Sequence, residues 1–138
     1  MRNADHPKTP WKDHFPYRRL YEALLKAAHA GVFFESNDGT ILDVNETACE
    51  MYGYTREELI GKNAAELVPS EVRNVFPELM EKHRKGEGTA AYAFGKRKDG
   101  SVFPVFVSTS PFEIGGEKLV AVFVRDISAL RRVEGKLE

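Results

Sequence analysis

The chain has 138 residues, of which 42% are hydrophobic, 11% aromatic and 30% charged, enough apolar material for one domain with a core of its own. Its 20 Lys and Arg against 21 Asp and Glu leave a net charge of −1, which argues against a nucleic-acid binder built on a basic face. The single cysteine, Cys49, excludes an internal disulfide and a Cys-based zinc centre, and without an apolar run near ~20 residues or a basic-then-apolar leader no membrane span is expected and the cytoplasm is the expected location.

Residues 1–16, MRNADHPKTPWKDHFP, hold three prolines and no hydrophobic period, and read as an extended or disordered lead-in. Residues 17–30, YRRLYEALLKAAHA, are good helix formers with Tyr17, Leu20 or Tyr21, Leu24 and Ala28 on one face; Gly31 is expected to stop this amphipathic helix. Val32–Ser36 and Thr40–Val44 then flank Asn37-Asp38-Gly39, a strong hairpin signal. Short helices follow. Asn45 is placed to cap Glu46–Tyr52, Gly53 to end it, and Thr55 with Glu58 to form a capping box. Ser70–Lys85 reads as helical with Ser70 as its cap, but Pro77 predicts either a kink or a second helix with proline in its first turn. Three more strands are expected at Thr89–Lys98, Val102–Ile114 and Lys118–Arg125, with turns at Asp99-Gly100 and Gly115-Gly116. Ser128 is placed to cap a closing helix that runs to the last residue. Five strands of hairpin type with the helices gathered in one insertion predict an α+β fold on an antiparallel sheet.

Two stretches, DGTILDVNETACEMYGYTREELIGKN and RKDGSVFPVFVSTSPFEIGGEKLVAVFVRDIS, resemble the two halves of a PAS sensor domain. The resemblance covers about residues 17–128, with the domain proper at 31–128 and residues 129–138 as the start of a C-terminal signalling helix. It implies a sheet in the spatial order 2-1-5-4-3, short helices over one face, and a ligand cavity between them. It also implies an input module for an effector, such as a histidine kinase, that lies C-terminal in the parent protein.

Alternation divides the strands without any family. Ala91, Ala93 and Gly95, then Val105, Val107 and Thr109, then Val120, Val122 and Val124 share one face; Tyr92, Phe94, Phe106 and Phe123 share the other. The resemblance turns the small, aliphatic face toward the cavity, with Phe33 and Glu35. The candidate pocket comprises Phe33 on the first strand and Asn63, Leu67, Val72 and Phe76 on the helical insertion. Ala91, Ala93, Val105, Val107, Val122 and Val124 complete it from the sheet. Such a lining suits a small apolar or weakly polar molecule, and equally suits a filled core. The aromatic face and the N-terminal helix point to a homodimer. A ligand-free dimerisation or interaction module is the alternative function.

The cofactor is left unknown. Light-sensing flavin members of the family resemble GKNAAELV at residues 61–68, but their adduct cysteine falls at Ala64 and their polar flavin contacts at Val68, Gly95 and Val124. Only Asn63 survives, and it reads equally as a cap. Haem-binding members resemble LVPSEVRNVFPEL, but their axial histidine falls at Phe76 and their distal arginine at Ala91. His83 is the nearest substitute and is expected to be solvated, as is Glu35 on an expected edge strand. Cys49 is expected to be inert. His6, His14, His29 and His83 stand in no nucleophile-base-acid pattern, so catalysis by this chain is not expected. Arg125, Asp126 and Ser128, between the last strand and the closing helix, form the expected signal junction. Whether Leu137-Glu138 is native sequence is left open.

Overall fold

The computed structural model describes residues 17–130; the predicted lead-in and the closing helix beyond residue 130 lie outside the described residues. The fold is α+β. Five antiparallel strands, β1 (Ala30–Ser36), β2 (Ile41–Val44), β3 (Thr89–Lys96), β4 (Val102–Ile114) and β5 (Glu117–Asp126), stand in the order β2-β1-β5-β4-β3. Helix α1 (Tyr17–Ala27) precedes the sheet, and α2 (Glu46–Tyr52), α3 (Arg56–Leu59) and α4 (Phe76–Arg84) interrupt it between β2 and β3. Two 3-10 segments, Ala64–Leu67 and Ser70–Val75, join α3 to α4.

Helix α1 ends earlier than expected, at Ala27, and the reversal is made by His29 with φ of 53° rather than by Gly31. Gly31 lies inside β1 for a different reason. A Cβ there would stand 3.1 Å from Cα of Ala48, so its absence lets α2 lie against the strand. Asn45 locks that contact: its Oδ1 accepts from the Ala48 and Val32 amides, each at 3.0 Å, and its Nδ2 donates to the Ala30 carbonyl at 3.1 Å. The capping box at Thr55 and Glu58 forms as predicted. Ser70 is not a helix cap. It opens the 3-10 segment after Pro69, and a separate α4 follows with Pro77 in its first turn, where the missing amide costs no hydrogen bond.

The core lies between the inner face of the sheet and α2, α3 and the Ala64–Leu67 turn. Ile41, Leu59, Val105 and Val120 are its largest fully buried members. Tyr52 meets Phe33 and Phe103 edge-on, with centroids 5.5 Å and 5.2 Å apart. The outer face is aromatic and open: Tyr92 is 74% exposed and packs on Phe106 across the ladder at 5.2 Å.

Two polar expectations are corrected. Glu35 is not a solvated edge residue. β1 lies between β2 and β5, so the inward parity buries Glu35 to 5% exposure. His83 is not solvated either; it is the one buried residue of α4, turned onto β4.

Candidate functional site: a cavity along the third strand

The sheet's β3 edge is built from small residues, Ala90, Ala91 and Ala93, while the 3-10 segment that faces it buries no side chain. Short side chains on one wall and a loosely seated opposite wall leave space. A cavity of about 1150 Å³ runs between the two, open along part of its length. Val72, Phe76 and Leu79 line it from the helical side and Ala91, Ala93 and Val107 from the inner sheet face. It continues round the edge strand to Phe94 and Pro104, then to Ile127 and Leu130. Glu78 and Lys82 are its charged lining residues.

The structure therefore divides the sequence-derived pocket into two sets. Val72, Phe76, Ala91, Ala93 and Val107 face the cavity. Phe33, Leu67, Val105, Val122 and Val124 are packed in the core, where α2 lies over β1 and the Ala64–Leu67 turn meets β3. Asn63 belongs to neither. Its Oδ1 accepts from the Ala65 amide at 3.0 Å, and its Nδ2 donates to the Asp38 carbonyl at 3.0 Å, pinning the insertion to the β1–β2 turn. Leu79 and Lys82 were not singled out in the sequence, although Val72, Val75, Leu79 and Lys82 recur at spacings of three and four.

A polar cluster closes one end of the cavity. His83 Nε2 and Thr109 Oγ1 are 2.8 Å apart, and Thr109 Oγ1 also meets Thr89 Oγ1 at 2.8 Å and the Thr89 amide at 3.0 Å. His83 Nδ1 is buried without a partner, and burial pushes the imidazole's pKa below its ordinary value. The Glu35 carboxyl forms no ion pair among the described residues, and its burial raises its pKa to about 8. Burial also raises the Cys49 thiol, the condition of an unreactive cysteine.

The other end of the cavity meets the C-terminal junction. Asp126 Oδ1 accepts from the Ser128 amide at 2.8 Å and the Ser128 hydroxyl at 2.5 Å. Ser128 itself is thus inside the first helical turn, and the capping carboxylate is that of Asp126. The Ile127 amide donates to Pro104 at 3.1 Å. Arg97, unremarked in the sequence, donates through Nε to the Met51 carbonyl at 3.1 Å and pairs through Nη2 with Asp126 at 3.3 Å. Its guanidinium lies 3.9 Å from the centre of the Phe103 ring. One side chain thereby joins the end of α2 to the end of β5. Arg125 stands opposite Ala30 and Phe106 in the ladder and is exposed.

The family model described as PAS domain matches residues 29–129, and the chain belongs to the PAS domain family. It is 32% identical over 105 residues to the methyl sulfide methyltransferase-associated sensor of Methanosarcina acetivorans, covering 75% of this chain and 10% of that protein. It is 36% identical over 123 residues to diguanylate cyclase DgcM of Escherichia coli K12, covering 88% of this chain and 29% of the cyclase. The PAS domain of an HTR-like protein from Haloarcula marismortui superposes with a TM-score of 0.64 at 24% identity, over 80% of this chain and 97% of that one. The chain thus matches only 10% and 29% of the two relatives named here.

Proposed function

We propose that this PAS domain is a sensory input module that takes a small apolar or weakly polar molecule into the β3 cavity. The state of that cavity passes through β5 and the Arg125-Asp126-Ser128 junction to a C-terminal helix and its effector, such as a histidine kinase, in the cytoplasm. The observation that carries this reading is that Ile127, just before the first helical turn after β5, and Leu130, within it, are themselves walls of the cavity. An occupant touches the output segment directly. It biases the output by its differential affinity for two poses of that segment. Catalysis, on this reading, belongs to the effector and not to the chain described.

The residues disfavour two chemistries used elsewhere in the family. Ala64 stands where a flavin adduct requires a thiol. Phe76 stands where an axial imidazole falls, and the Nε2 atom of His83 is already engaged by Thr109.

Mass spectrometry of small molecules released from the denatured protein, with an absorption spectrum of the native one, tests the ligand. Recovery of a stoichiometric compound that is apolar over most of its surface is expected; a Soret or flavin band would overturn the choice of ligand class. In the full-length parent, Asp126→Ala is expected to uncouple stimulus from output while the domain stays folded. Unaltered signalling in that variant would remove the junction from the mechanism.

A further inference from the structure

The cavity is polarised along its length. At one end, the turn after α4 is drawn tight by the Glu87 amide donating to the Lys82 carbonyl at 2.9 Å, which sets Thr89 beside the last turn of the helix. Lys82 and Thr89 line this end, and Lys82 forms no ion pair among the described residues. The other end is apolar, at Phe94, Pro104, Ile127 and Leu130. Thr89 and Phe94 are five positions apart on one strand, a span of about 16 Å.

Hydrogen-bond capacity sharpens the polar end. Thr109 Oγ1 has one proton and two lone pairs, and its three partners (the Thr89 amide, Thr89 Oγ1 and His83 Nε2) use all of them. Thr89 Oγ1 is not saturated. If Thr109 donates to His83, the Thr89 hydroxyl must donate to Thr109 and has no proton to offer. If instead His83 Nε2 carries the proton, it donates to Thr109, Thr109 donates to Thr89, and the Thr89 proton is free to point into the cavity. His83 Nδ1 is without a partner in both arrangements, so no second hydrogen bond selects the tautomer. An acceptor placed beside Thr89 would select the Nε2–H form.

We propose, building on the cavity reading above, that the ligand is a single-chain amphiphile with an anionic, hydrogen-bond-accepting head. Its tail follows β3 toward Ile127 and Leu130. Its head lies against the Lys82 ammonium and the Thr89 hydroxyl, and the His83–Thr109–Thr89 chain orients toward it. Glu78, one helical turn back from Lys82, also lines the groove and repels an anionic head that strays from Lys82 toward it.

The test uses dodecanoate and dodecan-1-ol as probes of equal chain length, kept below their aggregation concentrations. Competition against an apolar fluorophore measures affinity, and nitrogen-15 NMR of labelled histidine reports the His83 tautomer. Dodecanoate is expected to bind about tenfold tighter than the alcohol, to drive His83 to the Nε2–H form, and to lose its advantage in Lys82→Met. Equal affinities, an advantage that survives Lys82→Met, or a dodecanoate-bound His83 in the Nδ1–H form overturns the head site while leaving an apolar cavity in place. Binding of neither probe overturns the head site and the cavity reading together.

Discussion

Glu35 and His83 show how a single buried ionisable side chain makes stability depend on pH. The Glu35 carboxyl has an ordinary pKa of 4.5 and a folded value of about 8. Between those values the folded chain keeps a proton that the unfolded chain has lost, so its contribution to stability falls as pH rises from 4.5 to about 8 and is level above. Glu35→Gln, neutral at every pH, is expected to be more stable than the parent by a few kcal/mol near pH 8. The advantage should shrink toward nothing near pH 4.5, as read from urea unfolding across the range. His83 has the opposite sign. Its folded pKa lies below 6.5, so stability is lost as pH falls below 6.5, where the unfolded imidazole takes up a proton first. The difference between Glu35→Gln and the parent cancels that second effect. The resemblance turned Glu35 inward, but its burial was not legible while β1 was taken for an edge strand, and a histidine in EKHRKG looks solvated until the α4 seat is known.

Among the elements, the contact of α2 with β1 depends on two residues of different kinds. Gly31 supplies the room and Asn45 the three hydrogen bonds that hold the helix to the strand. An ordinary cap is worth about 1 kcal/mol. Asn45→Ala also strands the Val32 amide and the Ala30 carbonyl, both on buried β1 residues, and is expected to cost about 2–4 kcal/mol in chemical denaturation. Asn45→Asp retains the acceptor and should recover part of the loss. The sequence marked Asn45 as a cap correctly. Its two bonds to β1 escaped notice because they join positions 13 and 15 residues away. Separation in sequence likewise hid Arg97, whose partners Met51 and Asp126 lie 46 residues before it and 29 after it. Capping boxes and turns are read within four residues, so they were legible; tertiary anchors are not.

Over the whole molecule, the outer sheet face and α1 present their large side chains to solvent. Tyr92 and Tyr17 are 74% and 68% exposed, and α1 buries no residue. A helix with an apolar stripe and no core of its own is stable when another surface covers the stripe. We propose that a second copy of the chain covers both surfaces. Size-exclusion chromatography with light scattering is expected to show a dimer, and Tyr92→Lys combined with Leu24→Lys to shift it to monomer without loss of the sheet signal in circular dichroism. A monomer at high concentration in the parent protein would end the dimer reading.

Strand alternation, the Asp-Gly turns and the capping residues were enough, with the resemblance they carry, to determine the fold and its strand order. These are local signals with periods of two to four residues, and backbone hydrogen bonding and side-chain alternation enforce them wherever the chain goes. What the tertiary structure alone decided is which inward residues fill space and which leave it empty. Phe33, Val122 and Val124 and Ala91, Ala93 and Val107 share one parity pattern, yet the first set lies under α2 and the second beneath a 3-10 segment that buries nothing. A void is a property of two facing surfaces and of how closely they approach, and that approach is set by residues far apart in the chain.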